Sequence, residues 1–295
     1  MLQDHSHRRF PRAVGGPIAE VGMPEIRNHE CTISYETAGQ GRPLVLLHGW
    51  SGDRTLWAPY GYVEGLCRDH RVVMIDLRGH GQSDKPHDWR AYRAELTVAD
   101  VLAVADAEGL DRFAIWGFSY GGWIGWMTAA AAPDRVGALI TTGSWDPRPG
   151  TDADWQEFDD SWGAIIRREG MQGLIEHWRQ DDGPSHDREF PAFAESVTLR
   201  ADPAALLAIQ ARELVTEGVG DVHALRTPVL LIAGELEDPE DEAAMMAGLV
   251  PNGASLRLPG LGHGGAAGAS ALAIPTARTF LDRWFDRPAD VTAAG

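Results

Sequence analysis

Short apolar runs alternate along the chain with longer segments whose apolar positions recur at helical spacing. The pattern predicts strands at residues 32–37, 43–47, 71–75, 112–116, 137–142, 228–233 and 254–258. It predicts helices at residues 57–69, 94–108, 120–132, 239–250 and 274–285. Buried strands separated by helices are typical of βαβ units. We therefore predict an α/β fold with a mostly parallel central sheet flanked by helices.

The alternation is interrupted between residues 146 and 226. This stretch carries tryptophans among acidic and arginine-bearing helical segments, and it has no convincing strand pattern. We predict that residues 1–145 and 227–295 form one α/β core, into which residues 146–226 are inserted as a helical unit. Residues 287–295 are expected to be a loose tail.

Composition narrows the classes of function. The 295-residue chain has a formal net charge of −17, and its only lysine is Lys85. This excess of negative charge argues against binding to nucleic acid or to an anionic membrane surface, because both require a basic protein surface. Its apolar runs are too short to cross a bilayer, and residues 1–17 lack a stretch of the signal-peptide type. With only Cys31 and Cys67 and no sign of a disulfide framework, a cytoplasmic location is expected.

The strongest chemical motif is Gly-Phe-Ser-Tyr-Gly-Gly at residues 117–122, between a predicted strand and a predicted helix. Glycines permit a tight turn there, and the turn would expose Ser119 at the carboxyl edge of the sheet. The start of the following helix favours a developing negative charge. Ser119 is thus a candidate nucleophile, although the pattern alone also fits a βα turn with an incidental serine.

A serine nucleophile needs a base and an oxyanion site. His263 lies in a glycine-rich loop after the last predicted strand, from which its imidazole could reach back over the sheet edge. Backbone N–H groups of Tyr120 and Trp50 are the candidate oxyanion donors. His48, before Trp50, is expected to hold its loop by hydrogen bonds and to transfer no proton.

The carboxylate that would orient the imidazole is expected after the strand at 228–233, where several acidic residues follow one another. Asp238 precedes Pro239 and further acidic residues, a pattern typical of a helix N-cap. That structural role favours Glu237 as the acid, with Asp238 as the alternative and Asp146 as a more distant one.

Taken together, these motifs resemble the α/β-hydrolase superfamily over about residues 32–285, in its order of nucleophile, acid and base. The resemblance is carried by HGW (48–50), DLRGHGQSD (76–84), GFSYGG (117–122), AGELEDP (233–239) and PGLGH (259–263). It implies that residues 76–84 form a structural loop near the site and that residues 146–226 form a helical cap over it. The family register places the acid at Glu237, but aspartate is commoner at that position, so Asp238 stays open.

The resemblance implies a serine hydrolase that cleaves a small, largely apolar ester or lactone through an acyl-enzyme, without metal or organic cofactor. Pocket residues are expected at Phe118, Trp123 and Trp145, with some of the other tryptophans of 146–226 facing the site. The same scaffold supports hydrolysis of carbon–carbon bonds, perhydrolysis, or ligand binding by a receptor without turnover. Beyond a small-molecule substrate the sequence indicates no partner, and a homo-oligomer remains open.

Overall fold

The structure is a computed structural model, and it describes residues 24–215, 217–219 and 221–286. Within these ranges, eight strands form one sheet in the order β1-β2-β4-β3-β5-β6-β7-β8. Strand β2 is antiparallel to both β1 and β4, and every other neighbouring pair is parallel. The strands are β1 (Glu25–Asn28), β2 (Cys31–Ala38), β3 (Arg42–Leu47), β4 (His70–Ile75), β5 (Phe113–Phe118), β6 (Val136–Thr142), β7 (Val229–Gly234) and β8 (Gly253–Leu258).

Helices connect the parallel strands and cover both faces of the sheet. They are α1 (Tyr62–Leu66), α2 (Ala94–Ala107), α3 (Tyr120–Ala131), α4 (Asp152–Phe158), α5 (Ala164–Asp182), α6 (His186–Glu189), α7 (Ala192–Thr198), α8 (Pro203–Ile209), α9 (Arg212–Val215), α10 (Glu242–Leu249), α11 (His263–Gly268) and α12 (Ser270–Trp284). In the described part of the chain, none of these helices combines the length and the apolar character that crossing a membrane requires.

The central strands are apolar throughout because each face of the sheet packs against helices. Successive side chains of β3 point to opposite faces. Val45 and Leu47 join the core beneath α2 and α3, whereas Leu44 and Leu46 join the core beneath α1 and α12. The predicted α/β fold with its mostly parallel sheet is confirmed.

Several predicted boundaries differ from those observed. Instead of one helix over residues 57–69, the chain forms a short 3-10 turn (Arg54–Leu56) and the five-residue α1. Gly61, with φ of 86°, ends the preceding turn in a left-handed conformation. Strand β1 was not predicted because its sequence, EIRN, contains no apolar run. Residues 1–17 and 287–295, the predicted polar start and loose tail, lie outside the described residues.

Between β6 and β7 the described residues form helices α4 to α9, and their side chains build a small core of their own. Ile166, Leu174 and Leu206 are buried in it, together with Tyr92 from the loop before α2. We call residues 146–226 the inserted segment. Its assignment as a cap that forms a separate unit stays a prediction.

Parallel strands bring their carboxyl ends to one edge of the sheet. The register pairs Leu47 of β3 with Gly117 of β5, Phe118 with Thr142 of β6, and Gly234 of β7 with Leu258 of β8. The loops that follow these strands therefore emerge side by side. They carry the predicted chemical residues.

Candidate active site

Ser119 occupies a strained turn between β5 and α3. Its backbone angles are φ 51° and ψ −118°, which a non-glycine residue adopts at a cost of roughly 1–3 kcal/mol. Two backbone hydrogen bonds hold the turn: Ser119 N–H donates to Thr142 O at 2.8 Å, and Trp123 N–H donates to Ser119 O at 3.0 Å. Such strain persists only where the surroundings impose it, and it often accompanies function.

The turn also requires a residue without a side chain at position 121. A Cβ atom added to Gly121 would lie 2.2 Å from the carbonyl oxygen of Leu47, because α3 starts directly against β3. This close approach explains the second glycine of the G-x-S-x-G pattern as a packing requirement.

His263 is the first residue of α11, and its ring is oriented by a carboxylate. Its Nδ1 lies 2.5 Å from Oε2 of Glu237. The other oxygen of Glu237, Oε1, accepts a hydrogen bond from Gly234 N–H at 2.7 Å, and the side chain is only 8% exposed. Both carboxylate oxygens therefore have a defined partner, which fixes which of them faces the imidazole.

Asp238 points elsewhere, although it is the neighbouring residue. Its two oxygens accept hydrogen bonds from Glu242 N–H at 2.7 Å and Ala243 N–H at 3.0 Å. Asp238 thus accepts from the first N–H groups of α10, but the predicted N-cap position was wrong, because Asp241 is the N-cap residue. The helix begins at Glu242 and not at Pro239, since residues 239 and 240 form a turn closed by a hydrogen bond from Asp241 N–H to Asp238 O.

Asp146 is engaged with another partner. Its carboxylate accepts hydrogen bonds from the guanidinium of Arg148, the shortest at 2.5 Å, in an exposed pair. The structure thus brings Glu237 to His263, and places neither Asp238 nor Asp146 there.

His263 and Ser119 both line one cavity at the carboxyl edge of the sheet. The ring of Phe118, next to Ser119, lies 4.8 Å from the His263 ring. Gly143, directly after the Thr142 that binds Ser119, faces the same imidazole: an added Cβ would lie 2.8 Å from Nδ1. These contacts place the imidazole beside the serine turn.

The candidate oxyanion donors flank the serine from two loops. Tyr120 is the first residue of α3, so its N–H has no partner within the helix. Trp50 follows β3 in a turn closed by a hydrogen bond from Gly52 N–H to Gly49 O at 3.0 Å. Both residues line the cavity.

His48 is committed to that loop by both ring nitrogens. Leu77 N–H donates to its Nε2 at 3.1 Å, so Nδ1 must carry the proton that it donates to Gly49 O at 2.9 Å. Burial lowers the pKa of the His48 imidazole, which keeps the ring neutral. The ring has the positioning role that the sequence indicated.

Residues 76–84 form a polar loop, mostly buried, which we call the brace. Asp76 accepts hydrogen bonds from Arg54 N–H and Gln82 N–H, both at 2.8 Å, and pairs with the Arg54 guanidinium. Arg78 makes two hydrogen bonds to Asp100, at 2.5 and 2.8 Å, with both side chains almost fully buried. The brace contacts the HGW loop through Leu77 and His48.

The cavity has a volume of about 800 Å³ and lies between the sheet edge and the inserted segment. Phe118 and Trp123 line it. The structure corrects the prediction for Trp145, which lies outside the lining: its indole N–H donates to Glu242 at 3.1 Å instead. The Trp145 side chain packs instead against the core beneath α2 and α3.

Four aromatic rings form a continuous surface along the cavity, which we call the aromatic wall: Trp50, Trp162, Trp178 and Phe190. Trp50 and Trp162 stack with centroids 5.9 Å apart, and Trp162 meets Trp178 edge-on at 5.5 Å. Trp178 meets Phe190 at 5.0 Å. Two tryptophans of the inserted segment thus face the site, which gives the cavity a large apolar surface.

Carboxylates outnumber guanidinium groups along the described lining. The acidic residues are Asp181, Asp182, Glu189, Glu217 and Glu237, and Arg148 is the basic one. Arg148 is already paired with Asp146. The cavity therefore has a negative balance that would repel an anionic ligand.

Glu189 belongs to the site although the sequence did not indicate it. Its carboxylate accepts hydrogen bonds from Gly265 N–H at 2.7 Å and Gly262 N–H at 3.2 Å, on either side of His263. The inserted segment contains many acidic residues, and nothing in the sequence around Glu189 predicts that it contacts the residues beside His263. Only the packing of α6 against α11 shows it.

Comparisons with known proteins agree with this architecture. The chain is similar to the pimeloyl-[acyl-carrier protein] methyl ester esterase of Aliivibrio salmonicida, with 37% identity over 128 residues, 42% of this chain and 44% of the esterase. It is also similar to a putative 2-succinyl-6-hydroxy-2,4-cyclohexadiene-1-carboxylate synthase of Bacillus subtilis, with 26% identity over 223 residues, 70% of this chain and 79% of that protein. The matched region thus spans less than half of the esterase.

Among solved structures, the enol-lactonase from Burkholderia xenovorans LB400 has a TM-score of 0.72 with 23% identity, covering 88% of this chain and 100% of the lactonase. At this identity the likeness shows the fold alone. A family model described as alpha/beta hydrolase fold matches residues 42–202, more than half of the chain. The chain therefore belongs to the alpha/beta hydrolase fold family.

Proposed function

We propose that this protein is a serine hydrolase that cleaves a small, largely apolar carboxylic ester or lactone through an acyl-enzyme on Ser119. The observation that carries the proposal is the 2.5 Å contact between His263 and Glu237, beside the strained turn that presents Ser119 to the same cavity. A carboxylate-oriented imidazole beside a hydroxyl that lines the same cavity is the arrangement that nucleophilic acyl transfer needs.

In the first half of the reaction, the Ser119 hydroxyl attacks the substrate carbonyl carbon while Nε2 of His263 takes its proton. Glu237 accepts the Nδ1 hydrogen bond and stabilises the imidazolium that forms. The N–H groups of Trp50 and Tyr120 bind the oxyanion, and loss of one such donor typically costs about 3–4 kcal/mol of transition-state stabilisation. His263 then protonates the leaving alcohol as the carbon–oxygen bond breaks.

In the second half, water replaces the alcohol. His263 takes a proton from this water, whose oxygen attacks the acyl carbon of the ester on Ser119. The tetrahedral intermediate collapses, the proton returns to Ser119, and the carboxylic acid leaves. For a lactone, the alcohol and the acid are two ends of one product.

The cavity supports an uncharged, apolar substrate. The aromatic wall offers a continuous apolar surface, and the acidic lining disfavours a carboxylate or phosphate on the substrate. The name of one similar protein, a methyl ester esterase, supports ester hydrolysis as the reaction class.

The test compares Ser119→Ala with Ser196→Ala, a control at an exposed serine on α7. Hydrolysis of p-nitrophenyl butyrate is measured together with covalent labelling by a fluorophosphonate, read by mass spectrometry. We expect Ser119→Ala to lose at least about 10³-fold in kcat and all labelling, because no other group replaces the nucleophile. Ser196→Ala should match the unmodified protein.

Near-normal turnover by Ser119→Ala would refute the nucleophile assignment. A protein that binds esters and lactones tightly but turns none of them over would instead be a ligand-binding receptor on this scaffold.

A further inference from the structure

The residues directly before and after His263 are glycines, which have no side chain to restrain the backbone. Helix α11 begins at His263, its N-cap is Gly262, and Gly264 and Gly265 follow. Glycine has the largest backbone freedom of any residue, and a helix start leaves N–H groups without partners. An imidazole that must take a proton at a defined position therefore needs support from another part of the chain.

Glu189 of α6 provides this support. Its two carboxylate oxygens accept hydrogen bonds from Gly265 N–H at 2.7 Å and from Gly262 N–H at 3.2 Å. A negative charge at a helix start is favoured by the helix dipole, and hydrogen bonds to a charged acceptor are stronger than neutral ones. Glu189 is only 7% exposed, so little water competes for these bonds.

The backbones of the two elements also touch. A Cβ atom added to Gly264 would lie 1.9 Å from the main-chain oxygen of Glu189, so α6 fits against α11 only because residue 264 has no side chain. The absence of a side chain at Gly264 thus allows α6 to pack directly against α11. Glu189 then forms its hydrogen bonds to the backbone on either side of His263.

Helix α6 is itself fastened to the rest of the inserted segment. His186, its first residue, contacts Asp182 of α5 at 2.8 Å and Glu195 of α7 at 2.9 Å. Glu195 also accepts a hydrogen bond from Arg179 of α5 at 2.6 Å. These contacts connect α6, and through Glu189 the His263 loop, to the longer helices α5 and α7 of the inserted segment.

We propose that Glu189 is a positioning residue for His263, through which the inserted segment holds the general base in place. The proposal rests on the function proposed above, in which His263 takes the proton of Ser119. Phe190, the next residue after Glu189, ends the aromatic wall. A substrate that packs on this wall therefore contacts the element that holds the base.

The principal variant is Glu189→Gln, which keeps the size of the side chain but removes its charge. Glutamine has a single acceptor oxygen, so it can accept from only one of the N–H groups of Gly262 and Gly265. Its NH₂ group would face the other N–H, and two donors cannot form a hydrogen bond with each other. We expect kcat for p-nitrophenyl butyrate to fall about 10- to 100-fold, as for other small displacements of a reacting group. KM should change less than about threefold, since the aromatic wall is untouched. Glu189→Asp, which keeps a carboxylate, should recover part of the loss.

The matched control is Asp202→Asn. Asp202 lies in the same inserted segment and also accepts a hydrogen bond at a helix start, from Ala205 N–H of α8 at 3.0 Å. The two hydrogen-bond partners of the Asp202 side chain, Ala205 and His87, lie outside the cavity lining. The control should lose thermal stability to a similar extent while its kcat stays within about twofold, because only a helix cap has been weakened.

A second readout does not depend on any substrate. The proton on Nδ1 of His263, shared with Glu237, should give a resolved far-downfield proton resonance. We expect Glu189→Gln to broaden or lose this resonance through faster exchange, and Asp202→Asn to keep it. If Glu189→Gln does not fold, the same comparison is made with Glu189→Asp, where a weaker effect in the same direction is expected.

An unchanged kcat with an unchanged resonance in the Glu189 variants would overturn the proposal, as would a rise in KM alone. Absence of ester and lactone turnover in the unmodified protein would refute the proposed function. In that case the resonance still decides whether Glu189 positions His263.

Discussion

Replacing Glu237 by glutamine should disable the general base while leaving the shape of the site unchanged. In the structure Gly234 N–H donates to Oε1, and Oε2 lies 2.5 Å from His263 Nδ1. Glutamine must keep its carbonyl oxygen on Gly234, because an NH₂ group there would oppose another donor. Its NH₂ group then faces His263 and can only donate. Nδ1 must become the acceptor, so the proton moves to Nε2, which can no longer take the proton of Ser119.

The wrong tautomer and the lost charge together should lower kcat by about 10³- to 10⁴-fold, or roughly 4–5.5 kcal/mol. KM should change little, since Glu237 faces the imidazole and the backbone. The assay is hydrolysis of p-nitrophenyl butyrate at pH 8, with circular dichroism to verify that the variant is folded.

Asp238→Asn is the matched control, one residue away. It weakens the hydrogen bonds to Glu242 and Ala243 at the start of α10, which should cost about 1 kcal/mol of stability and leave kcat within about threefold. Equal losses of activity in both variants, or a loss below tenfold for Glu237→Gln, would refute this reasoning. The carboxylate would then act elsewhere.

Further substitutions test the surroundings of the site. Gly143→Ala places a Cβ 2.7 Å from Cε1 of His263, so kcat should fall about 10- to 100-fold; an unaffected kcat would contradict the proposed imidazole position. Trp162→Ala should raise KM about 3- to 10-fold for a phenylacetate ester, whose ring can pack on the aromatic wall, and should change KM little for an acetate ester. Equal effects on both esters would argue against the aromatic wall as a binding surface. Arg78→Met leaves Asp100 buried without its main partner and should cost about 3–5 kcal/mol in urea denaturation, whereas a loss below about 1 kcal/mol would show that the pair contributes little.

The sequence by itself determined the fold class and the main chemical residue types. The alternation of elements predicted seven of the eight strands that the described residues form. The central strands were recognisable because a strand covered on both faces is apolar along most of its length. The turn around Ser119 was recognisable because its glycine spacing reflects local sterics that any βα unit of this kind shares. His263 was recognisable from its position after the last strand, since parallel strands end at one edge of the sheet.

The sequence favoured Glu237 over Asp238 as the acid but left both open, and only the tertiary structure shows which of them contacts His263. Both carboxylates are adjacent in sequence, and a difference of one residue turns one toward the imidazole and the other toward α10. The same holds for Trp145, whose aromatic character predicted a pocket residue but whose indole binds Glu242. Glu189 was invisible to sequence patterns because its partners are backbone N–H groups about 75 residues away, as a side chain reaching across a packed interface has no local signature. Local sterics and periodicity are encoded along the chain, whereas contacts between distant elements depend on how those elements pack.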